Sequence, residues 1–124
     1  MLSFHSPIAR QNVSYYNINL DEGLDYTFVL VAIDSVTGLP LDLTDCTLTL
    51  TATELSKEVQ AFVITSTAGN IIVDLSTGTV TVTIPGSASS GLYFSQFSYD
   101  LVVTDIFLVS CTLVRGLLTI NSVA

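Results

Sequence analysis

The chain has 124 residues, of which 49% are hydrophobic and 11% are charged, and its formal net charge is −8. This length suits one domain, and a charged fraction below the usual value of about 25% leaves an outer surface that copies of the chain or other proteins are expected to cover. The three cations, Arg10, Lys57 and Arg115, are scattered, so the chain lacks the basic clusters that bind nucleic acid or anionic membranes.

The first 13 residues show neither a helical nor a strand period, and they mix apolar with polar residues. They predict an N-terminal arm over 1–13, followed by the domain over 14–124. The arm is expected either to fray or to order against a neighbouring subunit, with Phe4 and Ile8 as anchors and Tyr15 and Tyr16 continuing the contact.

The sheet is predicted to begin with a strand from Ser14 to Leu20. The next strand, from Tyr26 to Ile33, is nearly continuous in apolar residues, which is typical of a strand covered on both faces. A turn and an extended crossover follow, and they should lead Leu43 into the core and turn Thr44 and Asp45 outward. The residues expected to define this turn are Asp34, Gly38, Pro40, Asp42, Leu43 and Thr44.

Alternating apolar and polar residues predict the remaining strands at 46–54, 61–67, 70–75, 79–84, 97–104 and 107–120. Gly116, inside the last strand, indicates a bulge or a close approach of another backbone. The stretch 55–60 suits a loop or a single helical turn, and 86–91 fits either one helical turn or a flexible loop. About seven or eight strands with almost no helix predict an all-β, two-sheet antiparallel sandwich.

No constellation of residues supports catalysis, because His5 is the only histidine and no glycine-rich phosphate loop precedes a helix. Asp34, Asp42 and Asp45 have ligand oxygens suited to calcium, but each is better explained by its local turn. We therefore expect no enzyme activity, no cofactor, no metal and no small-molecule ligand.

Two further sets of side chains allow alternatives. Cys46 and Cys111 fit no metal-binding spacing, and buried free thiols are preferred over a disulfide between strands. Four aromatic residues suit packing in a core or interface better than a patch for sugar or protein, namely Tyr15, Tyr16, Tyr93 and Phe94.

The order of these features resembles the Ig-like domain of bacteriophage tail, baseplate and fibre-attachment proteins, and in particular the N-terminal domain of baseplate upper proteins. Three blocks within residues 17 to 120 carry the resemblance. The first is the turn from Asp34 through Gly38-x-Pro40 to Leu41-Asp42-Leu43-Thr44. The second joins Gly78-Thr-Val-Thr-Val-Thr-Ile, Gly91 and Tyr99-Asp100-Leu101, and the third is Arg115-Gly116 before Leu118 and Ile120.

The resemblance implies an Ig-like β-sandwich that packs into a virion without catalysis, with other virion proteins and copies of itself as partners. In baseplate proteins a helical or fibre-forming region follows this domain, whereas the chain stops at Ala124, which favours a tail or baseplate adaptor. Capsid decoration is the first alternative, and an adhesion module using the loop from Asp34 to Thr44 is the second. No apolar run approaches the ~20 residues that span a bilayer, and the N-terminus does not resemble a signal peptide. We therefore expect assembly in a host cytoplasm.

Overall fold

A computed structural model of the chain describes residues 14–34, 37–56, 58–92 and 96–122. Within these ranges nine strands form two sheets, joined by loops and one helical turn. The strands are β1 (Ser14–Tyr15), β2 (Ile18–Asp21), β3 (Tyr26–Val31), β4 (Thr47–Glu54), β5 (Val59–Thr65), β6 (Ile71–Asp74), β7 (Thr79–Ile84), β8 (Gln96–Thr104) and β9 (Ser110–Asn121). The helical turn α1 (Gly86–Ser89) confirms that alternative for the crossover before β8.

The larger sheet has the strand order β1–β9–β8–β4–β5, with β2 also on β9, and the smaller sheet has the order β3–β7–β6. The same arrangement occurs in antibody-type domains, where the strands G, F, C and C′ face the strands B, E and D. Strands β9, β8, β4 and β5 take the places of G, F, C and C′, and β3, β7 and β6 take those of B, E and D. The predicted Ig-like two-sheet sandwich is therefore confirmed.

The core lies between the two sheets and consists of side chains from alternate positions of the strands. In β7, for example, Val80, Val82 and Ile84 are fully buried while the three threonines between them are partly exposed. Each such apolar side chain contributes about 1.5–3 kcal/mol when it is removed from water. The period of two seen in the sequence thus correctly assigns the inner face of β4, β7 and β8.

The first two strands correct the prediction of one continuous strand at the start of the sandwich, and they add a parallel pairing to its otherwise antiparallel sheets. Both β1 and β2 pair with β9 in parallel, with Ile18 opposite Leu118. The single strand predicted from Ser14 to Leu20 is also divided in two, because the Asn17 side chain accepts the Leu117 N–H at 3.0 Å in place of a backbone carbonyl.

Gly116 lies beside this division and confirms the predicted close approach of two backbones. A Cβ atom at this position would lie 2.2 Å from the carbonyl oxygen of Tyr16. No real Cβ makes such a contact, so only glycine lets the first strands pack this closely against β9.

The outer face of β3 corrects a second prediction. Val29 and Val31 are 60% and 54% exposed, although the apolar run from Tyr26 to Ile33 indicated a strand covered on both faces. Among the described residues no element lies over the outer face of the smaller sheet, because the sandwich has only two layers. The apolar run therefore has one buried face and one exposed apolar face.

The turn after β3 forms largely as predicted. The Asp34 N–H donates to the Leu39 carbonyl at 2.9 Å, and the Gly38 N–H donates to the Asp34 carbonyl at 2.9 Å. Gly38 has a φ of 73°, which glycine adopts without strain. Beyond the turn, Leu41 and Leu43 are 1% and 3% exposed, so the crossover enters the core as expected.

The loop between β8 and β9 is longer than predicted, because β9 begins at Ser110 and not at Phe107. The Asp105 carboxylate accepts the N–H groups of Phe107 and Val109, at 2.8 and 3.0 Å. Leu108 has a positive φ of 63°, which is incompatible with a strand. The chain therefore leaves the sheet for the length of this loop.

Candidate protein-interaction site

The site is built around β3, which lies at one edge of the smaller sheet. The Ala32 N–H donates to the Gly78 carbonyl at 2.8 Å, which shows that the backbone of Ala32 faces the β7 side. Backbone groups alternate in direction along a strand, so Phe28 and Leu30 also face β7. The N–H and C=O groups of Thr27, Val29 and Val31 consequently face the open edge, and no strand within the described residues pairs there. We call these three residues the β3 edge.

The β3 edge lacks the protection that sheet edges usually carry, such as charged side chains, proline or a bulge. Its strand contains only Tyr, Thr, Phe, Val and Leu residues. The other edges in the described part of the chain are better protected. Asp21 ends β2, Asp74 ends β6, and the pairing of β5 with β4 shifts register between Ala52 and Thr53. The β3 edge is thus the most favourable edge for pairing with another chain.

A groove of about 420 Å³ lies beside the β3 edge, between the smaller sheet and the strands β1 and β9. Phe28 and Leu30 line one side of the groove, and Leu113 and Val114 line the other. Tyr16 lies among the lining residues as well. An extended segment placed along β3 would therefore cover apolar surface as well as pair with backbone groups.

An aromatic cluster joins the two sheets next to this groove. The Phe28 ring lies 5.8 Å from the Tyr16 ring and 6.4 Å from the Tyr99 ring, measured between centroids. The Tyr99 hydroxyl donates to the Tyr16 carbonyl, and the hydroxyls of Tyr16 and Tyr26 are 2.8 Å apart. Phe28 on β3 and Tyr99 on β8 thus link the strands that a disulfide links in antibody domains.

Two tyrosines of this cluster, Tyr26 and Tyr99, have raised pKa values. Burial, followed by the hydrogen bond with Tyr16, raises the pKa of Tyr26 to about 12. Burial also raises the pKa of Tyr99. At neutral pH both side chains are uncharged, so neither of them adds charge beside the groove.

The structure separates the residues that the sequence grouped as an interface. Tyr15 is 76% exposed and lies on the outer face of the larger sheet with Thr51, Thr53 and Ser98. Tyr16, directly after β1, lines the groove on the opposite side of the chain, so the two tyrosines do not form one patch. Phe4 and Ile8 lie outside the described residues, as do Tyr93 and Phe94.

The predicted turn residues act mainly within their own turn. The Asp34 carboxylate accepts the Thr37 N–H at 3.3 Å, and the Asp42 carboxylate accepts the Thr44 N–H at 3.0 Å. The hydrogen bonds from Thr44 lower the pKa of Asp42. In the part of the chain that the structure describes, no group of acidic, histidine and cysteine side chains could hold a metal ion.

The same end of the sandwich holds the loop from β8 to β9, and the sequence reasoning wrongly placed Phe107 and Leu108 of this loop in the last strand. Burial, followed by the charges of Asp105, Asp42 and Asp45, raises the pKa of the Cys46 thiol. Asp105 therefore lies near the turn that contains Asp42. The loop exposes three consecutive apolar side chains, Ile106, Phe107 and Leu108, at 65%, 63% and 84%. An apolar triplet directly after a turn-forming Asp was the signal available in the sequence.

Cys46 and Cys111 do not form a disulfide with each other, which agrees with the preference for thiols, but both are half-buried and not fully buried as expected. No helix in the described ranges is long and apolar enough to cross a membrane.

No family model and no curated protein matches this chain. Solved structures similar to it include extracellular domains 3–5 of Drosophila OTK, with 12% identity and a TM-score of 0.34, and murine CRIg, with 11% identity and a TM-score of 0.40. A third is ICOS in complex with ICOS-L and an anti ICOS-L VNAR domain, with 6% identity and a TM-score of 0.36.

The alignment with OTK covers 91% of this chain and 35% of that chain. The corresponding shares are 87% and 92% for CRIg, and 90% and 56% for the ICOS structure. The chain thus spans about a third of the OTK fragment. Identities and TM-scores this low bear on neither function nor partners.

Proposed function

We propose that this chain is a non-enzymatic structural protein of a bacteriophage particle, which assembles through contacts with other virion proteins and with copies of itself. A tail, baseplate or fibre-attachment adaptor is the first placement, and capsid decoration is the alternative. The phage assignment rests on the sequence resemblance of the turn from Asp34 to Thr44 and of the blocks around Tyr99 and Arg115.

The observation that carries an assembly role is the β3 edge with its apolar groove. A protein that functions as an isolated monomer usually protects such an edge, because it otherwise templates pairing with another chain. Here the edge is uncharged, and the adjoining outer face adds Ile33 and Ile72, which are 42% and 65% exposed. A permanent neighbour in a particle would cover these surfaces.

The proposal is tested by locating the chain in purified particles. Mass spectrometry of the particles should detect it, and gold-labelled antibodies raised against the domain should mark the tail or baseplate in electron micrographs. Labelling spread over the capsid would favour the decoration alternative. Absence from particles whose other structural proteins are all detected would contradict a virion role.

A binding module that uses exposed loops is the second candidate, and the apolar triplet from Ile106 to Leu108 favours it. In an adhesion module, replacing Phe107 and Leu108 by serine should abolish attachment to cells while the oligomeric state stays unchanged. In an assembly protein of the kind proposed above, the same replacement should leave any cell attachment unaffected.

A further inference from the structure

We propose that the β3 edge is occupied by the same edge of a second copy of this chain, so that two smaller sheets join into one continuous sheet across a two-fold axis. The inference deepens the proposed function and rests on it, because it names the partner at the proposed assembly site. Its basis is the geometry and chemistry of β3 itself.

The backbone of the β3 edge is complementary to its own copy. In an antiparallel pair centred on Val29, this residue lies opposite Val29 of the second copy, and Thr27 lies opposite Val31. Residues whose backbone groups face the partner exchange two hydrogen bonds per pair, so the three pairs exchange about six. These are the three residues whose backbone groups face the open edge.

The side chains agree with this register. On the outer face, Val29 would pack against Val29 of the second copy and Val31 against its Thr27, which removes from water two valine side chains that are 60% and 54% exposed in the single chain. Cross-strand pairs of β-branched residues stabilise antiparallel sheets. On the inner side, the second strand would cover the mouth of the groove beside Leu30, which is only partly buried.

The charges at the ends of β3 do not oppose this pairing, although the chain has a net charge of −8. In the register centred on Val29, Asp25 lies opposite Ile33 of the second copy, and Asp34 lies opposite Leu24. No acidic residue faces another acidic residue along the joined strands. Because the chain carries few charges, the main electrostatic effect that opposes association is the long-range repulsion between two negatively charged copies.

The test compares the full-length chain with Val29→Lys and with Ile72→Lys. Ile72 is the matched control, because it lies on the same outer face as Val29 and both residues pair with Thr81 of β7. Ile72 is also similarly exposed, at 65%. Size-exclusion chromatography with light scattering should show a dimer for the wild type and for Ile72→Lys. Val29→Lys should weaken association at least about tenfold, because it places two like charges directly opposite each other.

Amide hydrogen exchange gives a readout that separates pairing from folding. The amides of Thr27 and Val31 should be protected in the wild-type dimer and unprotected in Val29→Lys. The amides of Phe28 and Leu30 bind β7, and they should stay protected in both proteins. Loss of protection at all four positions would show that Val29→Lys unfolds locally. In that case Val29→Thr, which adds no charge, replaces it as the test, and this variant should retain the dimer if the pairing is correct.

Three results would overturn the inference. The first is a wild-type chain that stays monomeric at high concentration, and the second is an equal effect of the two lysine variants. The third is a full-length monomer in which the Thr27 and Val31 amides are protected but lose this protection when residues 1–13 are deleted. That result would show that the chain's own N-terminal segment, and not a second copy, covers the edge. A monomer found in particles would contradict only the pairing, whereas a dimer absent from particles would contradict only the virion role.

Discussion

Single side chains determine the properties of the groove and its surroundings. Asn17 replaces a backbone acceptor for the Leu117 N–H, and Gly116 admits the Tyr16 carbonyl where a larger residue would collide with it. Tyr16 is thereby held against Phe28 and Tyr26. The aromatic cluster thus depends on Gly116 in β9 and on Asn17, which lies between β1 and β2.

The raised pKa of Tyr26 makes stability depend on pH in the alkaline range. Its pKa rises from 10.0 to about 12 in the folded chain, so the unfolded chain releases this proton first. The stabilisation is complete below the unfolded pKa and is lost as pH rises through the folded one. We expect the melting temperature to fall between pH 10 and 12, and to fall less in Tyr26→Phe, although Tyr99 should retain part of the effect. Equal slopes in both proteins would contradict this.

At the scale of elements, the crossover between β3 and β4 is the segment that moves the chain from one sheet to the other. Its turn is held by the hydrogen bonds of Asp34 and by the isolated bridge between Ile33 and Pro40. Leu41 and Leu43 then fill the space between the sheets, whereas Leu39 remains 64% exposed at the tip. Of these three leucines at alternate positions, Leu41 and Leu43 therefore belong to the core and Leu39 does not.

Alanine substitutions in this crossover should separate those roles. Leu41→Ala should lower the free energy of unfolding by about 2–5 kcal/mol, because it removes a buried side chain and leaves a cavity. Leu39→Ala, the matched control, should change it by no more than about 0.5 kcal/mol. Urea unfolding followed by circular dichroism measures both, and similar losses in the two variants would show that the tip is also packed.

At the scale of the whole molecule, eleven acidic residues and three cations leave few charges to cover the surface of a sandwich. Two groups of exposed apolar residues lie on the outer face of the smaller sheet and in the loop from Ile106 to Leu108, while others, such as Val59, Val63 and Leu117, lie on strands of the larger sheet. The first adjoins the β3 edge, and the second lies at the end of the sandwich where the turn after β3 and Asp105 meet. The first is the surface that we propose for pairing with a second copy, and the second is the surface of the alternative binding module.

Ionic strength should strengthen association between copies. Raising it from about 0.01 M to 1 M shortens the screening length from about 30 Å to about 3 Å, which removes repulsion between two chains of net charge −8. The uncharged β3 edge itself should be unaffected by salt. We expect the dimer dissociation constant, measured by sedimentation equilibrium, to fall over this range. A constant that rises with salt would indicate a contact made by ion pairs.

The sequence by itself determined the local features of this protein. Alternation in β4, β7 and β8 identified their buried faces, because side chains in a strand point to opposite sides with a period of two. Turn residues located the reversal after Asp34, and Gly116 indicated a close backbone contact. The sequence also predicted the burial of Leu43, and it allowed a helical turn as one of two alternatives where the structure has Gly86–Ser89.

Only the tertiary structure decided which strand lies at an edge and which face another layer covers. The apolar run of β3 is compatible with burial on both faces, and Val29 and Val31 are exposed only because no third layer lies over the smaller sheet in the described residues. The parallel pairing of β2 with β9 joins residues about 100 positions apart, as in Ile18 and Leu118. Edges, coverage and pairing direction depend on such distant partners, and the local period of a strand carries no information about them.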